Sequence, residues 1–154
     1  MQIMDIAIQL LMAFLGTMGF AMVFHVQRDK LFLVSMGGLI SWAVFLLMGT
    51  CAQYDAPRYF VASAVVTIYA EILARLVKCP ATTFLVTGEV PLIPGGSLYY
   101  TMSYFMERDY DAFSSQGFLT LIYAGAIAVG MLFPMSVFQL IRRTRKLMEK
   151  KKAG

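Results

Sequence analysis

The sequence is short of charge. Lys, Arg, Asp and Glu together make up 14% of its 154 residues, and the mean hydropathy is +0.69. A soluble domain of this size carries about 25% charged residues, so a water-soluble globule is not expected, and the length suits one domain of a few membrane spans. Cysteine is scarce as well: Cys51 and Cys79 form neither a CxxC pair nor a metal-ligand pattern. His25 is the only histidine; standing at a loop edge, it reads as an interfacial polar residue, because a lone histidine seldom makes a metal site. With no histidine cluster and no activated Ser or Cys constellation, neither an enzyme nor a cofactor is expected. The net charge of +4 does not indicate nucleic-acid binding, since seven of the thirteen Lys and Arg residues lie in the last thirteen positions. That is a basic tail beside a membrane, not a basic face. No Lys or Arg precedes the first apolar run, whose nineteen uncharged residues at 6–24 exceed a secretory h-region. It reads as a span that stays in the protein. No internal repeat is visible.

Long apolar runs are what the sequence has in quantity. The first three spans are expected at 6–24, 31–50 and 57–78, with HVQRDK between the first two and Glu71 and Arg75 inside the third. The uncharged run 112–141 contains thirty residues, more than the ~20 needed to cross. It is therefore tilted, kinked near Pro134, or begun outside the membrane; its spanning part is placed at 113–141. Residues 79–111 form either a loop, a re-entrant dip or a broken helix that crosses over 80–105. Charge placement decides, because cytoplasmic loops collect Lys and Arg. If the segment crosses, eleven basic residues fall inside and two, Arg58 and Arg108, outside; if it does not, the split is eight to five. The expected fold is thus an all-α integral membrane protein of five transmembrane helices, N-terminus out, C-terminus in, with a basic cytoplasmic tail at 142–154. Tyr54, Tyr59, Tyr104 and Tyr110 then fall at the outer face, among the headgroups. The two cysteines end on opposite sides of the membrane.

The fourth span carries the strongest helix breakers. Its midpoint falls at Leu92 and Ile93, inside PLIPGG. Pro91 and Pro94 lack amide hydrogens and crowd the carbonyls of Thr87 and Val90, while Gly95 and Gly96 permit angles that other residues resist. Ser97 is placed to cap a second half-helix. Irregular backbone at this depth survives only against protein or beside a wet cavity, and transporters use half-helix ends of this kind to attract anionic groups. The amides near residues 95–98 are therefore a candidate substrate site, with a plain packing kink as the alternative. Glu89 lies just before the breaks. An anion there costs at least ~2.5 kcal/mol, so Glu89 must be protonated, paired or facing water. It is a candidate proton carrier or a residue of a subunit contact. Glu71 and Arg75, four apart, share a helix face and form either a structural ion pair or part of the pathway. Gly16, Gly19, Gly37, Gly38, Ala126 and Gly130 permit close helix approach, and the twelve methionines are adaptable lipid and helix contacts.

GFAMVFHV at 19–26, AEILARLVKCPATTFLVTGEVPLIPGGSLYYTM at 70–102 and the chain length together resemble the threonine/serine exporter (ThrE-like) family, in particular its small membrane subunit of the YjjB type. The P-L-I-P-G-G run with the following Tyr-Thr-Met is the most specific part. The resemblance implies a multi-pass protein of the bacterial inner membrane. It also implies proton-coupled secondary export of small polar metabolites, threonine- and serine-like amino acids or dicarboxylates such as succinate. The partner it implies is a larger membrane subunit with five spans and a cytoplasmic N-terminal domain. By position it carries a recurrent acid and base onto Glu71 and Arg75 and the break onto Pro91, Pro94, Gly95 and Gly96. Glu89 departs from the apolar residue of the family pattern. With Ser97, Tyr100 and Thr101 added, the break residues form the expected substrate-binding set; Glu71, Arg75 and Glu89 form the expected coupling set. The alternative function is a non-transporting subunit that stabilises or assembles a partner transporter.

Overall fold

The computed structural model describes residues 3–153. Six helices follow one another: α1 (Ile3–Val23), α2 (Leu31–Met48), α3 (Asp55–Leu76), α4 (Ala81–Gly88), α5 (Gly95–Met106) and α6 (Tyr110–Ala153), with single 3-10 turns at Arg28–Lys30 and Val90–Leu92. Among the described residues every regular element is helical. Four segments of the described residues are long and apolar enough to cross a membrane: Met4–Val23, Arg28–Met48, Asp55–Leu76 and Tyr110–Thr144. The first three correspond to the expected spans, and the segment of the fourth expected span is divided among α4, the second 3-10 turn and α5. The basic tail continues α6 as far as residue 153; Gly154 lies outside the described residues.

The packing is inverted relative to a soluble bundle. The buried positions are mostly small, Ala21, Ala62, Ala70, Ala74, Ser35, Ser41, Ser63 and Thr67, while Phe20, Leu47, Phe118, Leu121, Phe133 and Leu140 face outward. In lipid no hydrophobic force drives helices together, so close backbone approach has to supply the attraction. Gly130 allows such an approach, since a Cβ there would meet Ser63 Oγ and stand 2.6 Å from the Phe60 carbonyl oxygen. Gly38 makes the same kind of contact against Thr17, and Gly88 against Val66. A Cβ added at Gly16 or Gly19, both expected to pack, would meet nothing within 4 Å beyond its own helix; the fully buried positions among the described side chains of α1 are Thr17 and Ala21.

Helix directions follow from the side-chain pairs. Trp42 of α2 donates to Gln9 of α1 at 3.3 Å, and Gly38 meets Thr17, so α1 and α2 run antiparallel. Phe45 packs on Tyr59 and Gly37 on Tyr69, which makes α2 and α3 antiparallel too. α3 and α6 run parallel: Tyr59 meets Tyr123, Ser63 Oγ donates to the Ile127 carbonyl at 3.1 Å, and Arg75 lies over Phe138. Two parallel neighbours require the intervening chain to return from the end of α3 to its start. Segment 77–109 makes that return. α6 has 44 residues, about 65 Å by helical rise, twice the ~30 Å hydrocarbon thickness. Since Tyr123 sits beside Tyr59, most of 110–122 projects past the start of α3 and packs on α5 instead, where Phe105 meets Phe113.

Three helices stop in the same way. His25, Lys78 and Arg108 have φ of 54°, 53° and 60°. The amide after each reaches back five residues, from Val26 to Ala21, Cys79 to Ala74 and Asp109 to Tyr104, at 3.0 Å in all three. This is the left-handed helix stop normally made by glycine. Arg58 closes the opposite loop by donating to the Ala52 and Gly49 carbonyls while pairing with Asp55 at 2.8 Å.

Candidate functional site

α4 returns alongside α2 and α3 and stops at mid-bundle. Gly88 is wedged there between Val66, halfway along α3, and Gly37 of α2. The chain then tightens through Val90–Leu92 and turns at Ile93 and Pro94 before α5 begins at Gly95. Most of the backbone groups in this break are satisfied locally. Leu92 N–H donates to the Glu89 carbonyl at 2.9 Å, Ile93 to Val90 at 3.2 Å, Gly95 to Ile93 at 2.7 Å and Leu98 to Pro94 at 3.0 Å. The Val90 carbonyl, expected to lose its partner to Pro94, therefore regains one through the 3-10 turn. The amides of Gly96 and Ser97 precede the first α-helical bond of α5 and form its positive end.

The expected substrate-binding residues divide into three environments. Pro91 closes a 260 Å³ cleft with Gln9, Met12, Ala13 and Trp42, and Pro94 is buried. Gly95 and Gly96 are exposed, with no atom within 4 Å of a Cβ added at either. Ser97 and Thr101 face α6: Ser97 Oγ lies 2.7 Å from Thr120 Oγ1 and accepts from Gln116 Nε2 at 3.0 Å, and Thr101 Oγ1 lies 3.2 Å from the same Thr120 hydroxyl. Ser97 is thus no cap. It lies inside the first turn of α5, Pro94 occupies the cap position, and the hydroxyl belongs to a polar seam with α6. Tyr100 is exposed and meets Tyr99 edge-on. Gln116 and Thr120 are site neighbours that sequence reasoning missed; being nineteen and twenty-three residues from Ser97, they leave no local spacing signal.

The coupling residues occupy two levels. Glu89 follows Gly88 at mid-bundle, is 7% exposed, and both its carboxyl oxygens are buried without a hydrogen-bond partner among the described residues. Such an orphaned carboxyl calls for a functional account, because an intramembrane acid without a partner is expensive to keep. Glu71 lies on α3 nearer its C-terminal end and is equally buried. Its Oε2 accepts from Arg75 at 3.5 Å, as the four-residue spacing predicts, and also from Arg142 of α6 at 2.8 Å. The shorter contact is the one that no sequence spacing announced. Among the described residues no group of three or more His, Cys, Asp or Glu could hold a metal.

Comparison with known proteins places this architecture. No curated protein and no solved structure matches the chain. Residues 9–137 match the family described as threonine/serine exporter, ThrE, a stretch that takes in most of α1, all of α2 to α5 with the break, and most of α6. This chain of apolar helices, broken at Pro91 and Pro94, therefore belongs to the threonine/serine exporter family.

Proposed function

We propose that the chain is one half of a proton-coupled secondary exporter of small polar metabolites in a bacterial inner membrane, working with a larger five-span membrane subunit. In this reading α4, the break and α5 form the fourth of five crossings. The parallel arrangement of α3 and α6 supports it, because the chain has to travel back along the bundle between them. An odd number of crossings leaves the two termini on opposite sides, and the excess of Lys and Arg at the C-terminus sets that end inside. The open end of α5 at Gly95 and Gly96 leaves room for a substrate carboxylate and for the partner subunit that would complete the pocket.

The observation that carries the proposal is the orphaned Glu89 carboxyl beside the break. A carboxylate at this depth is tolerated once it binds a proton or meets water. Proton release is therefore tied to opening of the site toward one face, which is what coupling requires. Threonine, serine or succinate each present a carboxylate, the group that a positive helix end attracts.

The test is efflux from vesicles containing both subunits. Glu89→Gln is expected to abolish the dependence of efflux on an imposed pH gradient, and Gly96→Leu to block substrate while assembly with the partner survives. Unchanged transport in Gly96→Leu and Pro94→Ala ends the substrate-site assignment; an unaltered gradient dependence in Glu89→Gln removes that residue from the proton path.

A further inference from the structure

The outward side of the α3–α6 seam combines an apolar trough with a cationic end. Phe60, Ala64 and Ile68 line it from α3, and Pro134, Phe138 and Ile141 from α6, around a volume of 370 Å³ without polar surface. The α3 residues recur every four positions, and the same stripe reaches Arg75 two turns further on. On α6, Arg142 stands one turn beyond Phe138. The two ends are joined physically, since the Arg75 guanidinium lies 4.6 Å from the centre of the Phe138 ring. Glu71 accepts one N–H group from each arginine. One carboxylate against two guanidiniums leaves a net positive charge, and each guanidinium has five N–H donors. The side chains of Arg75 and Arg142 are 40% and 53% exposed, so both guanidinium-bearing side chains keep accessible surface beside Glu71. From Arg75 back to Ala64 is about 16 Å by helical rise, the depth of one leaflet's hydrocarbon at ~15 Å.

We propose that this seam holds one anionic phospholipid, its phosphate forked between Arg75 and Arg142 and one acyl chain lying in the trough past Ile68 to Ala64. Guanidinium groups match phosphate oxygens in two-pronged geometry, and the anionic lipids of the cytoplasmic leaflet lie at the membrane face where the basic tail sits. Glu71 holds the two arginines together and limits their charge. The lipid clamps α6 to α3 on the face away from α4. This assignment is independent of whether Glu89 carries protons.

Native mass spectrometry of the full-length protein in mild detergent, offered equal amounts of dioleoylphosphatidylglycerol and dioleoylphosphatidylcholine, tests it. The wild type is expected to retain the anionic lipid about tenfold over the zwitterionic one. The double substitution R75Q/R142Q brings the two to parity. Ala64→Trp, which fills the trough and keeps both arginines, lowers retention of the anionic lipid. Glu71→Gln raises retention, a gain that a misfolded protein does not produce. Parity in the wild type or an unchanged preference in R75Q/R142Q overturns the proposal. So does displacement of the lipid by glycerol 3-phosphate at equal concentration, which marks a headgroup site without the trough. Loss of the lipid whenever a second subunit binds gives the trough to a protein helix and also overturns it.

Discussion

At the scale of single residues, the two buried acids illustrate opposite solutions to one problem. Glu71 is buried and paired twice, whereas Glu89 is buried with no partner among the described residues. Removing an unsatisfied buried polar group relieves its desolvation cost. Glu89→Leu is therefore expected to stabilise the fold by about 1–3 kcal/mol, read as a higher thermal-unfolding midpoint in detergent, while efflux is lost. A lower midpoint would show that the carboxyl has a partner in the assembled protein. The Glu71–Arg75 pair was legible because a four-residue spacing puts two side chains on one helix face. Arg142 was not, because its bond to Glu71 spans 71 residues and depends on how α6 lies on α3.

At the scale of elements, glycines separate into those that pack and those that stay open. At Gly130 an added methyl would lie 2.6 Å from the rigid Phe60 carbonyl, so Gly130→Ala is expected to cost about 1–3 kcal/mol by forcing α3 and α6 apart. Gly95→Ala meets no atom within 4 Å and is expected to shift stability of the isolated chain by less than about 1 kcal/mol. Parallel melts of the two variants check the contrast, and equal destabilisation would contradict the helix packing described. Helix ends offer a third case. Lys78 adopts φ of 53°, so Lys78→Gly is expected to stabilise the stop of α3 by about 1 kcal/mol, again read from the midpoint. The apolar run 6–24 showed that Gly16 and Gly19 lie on a membrane helix but not which face of α1 meets α2. Likewise the proline and glycine content of 91–96 announced a break, yet not that 3-10 bonds would satisfy the Glu89 and Val90 carbonyls.

At the scale of the whole molecule, the proposed arrangement of five crossings rests on one relation, the parallel run of α3 and α6. Cysteine labelling checks it directly. Cys51 lies in the exposed loop before α3, and Cys79 follows α3 and accepts a hydrogen bond from Lys30 at the other end of the bundle. A membrane-impermeant maleimide applied to intact cells is expected to label Cys51 and leave Cys79 untouched until the membrane is opened. Labelling of Cys79 from outside would reverse the topology, and labelling of both from outside would remove the odd crossing. The apolar hairpin of α5 and the first third of α6 exposes Tyr99, Met106, Phe118 and Leu121. Its reach past the start of α3 marks the region where the larger subunit of the proposed exporter is expected to dock.

The amino-acid sequence alone determined that this is a chain of long apolar helices, the place where it breaks and the Glu71–Arg75 pair. All of these depend on composition or on spacings within one helix turn, and such local terms do not need a neighbour. Only the tertiary structure decided that Glu89 loses every partner, that Ser97 joins Thr120 and Gln116, and that Arg142 reaches Glu71. Those outcomes depend on which helix faces meet. In a membrane that choice is made by close contact between backbones at positions such as Gly38, Gly88 and Gly130, because lipid and apolar side chains attract one another about equally.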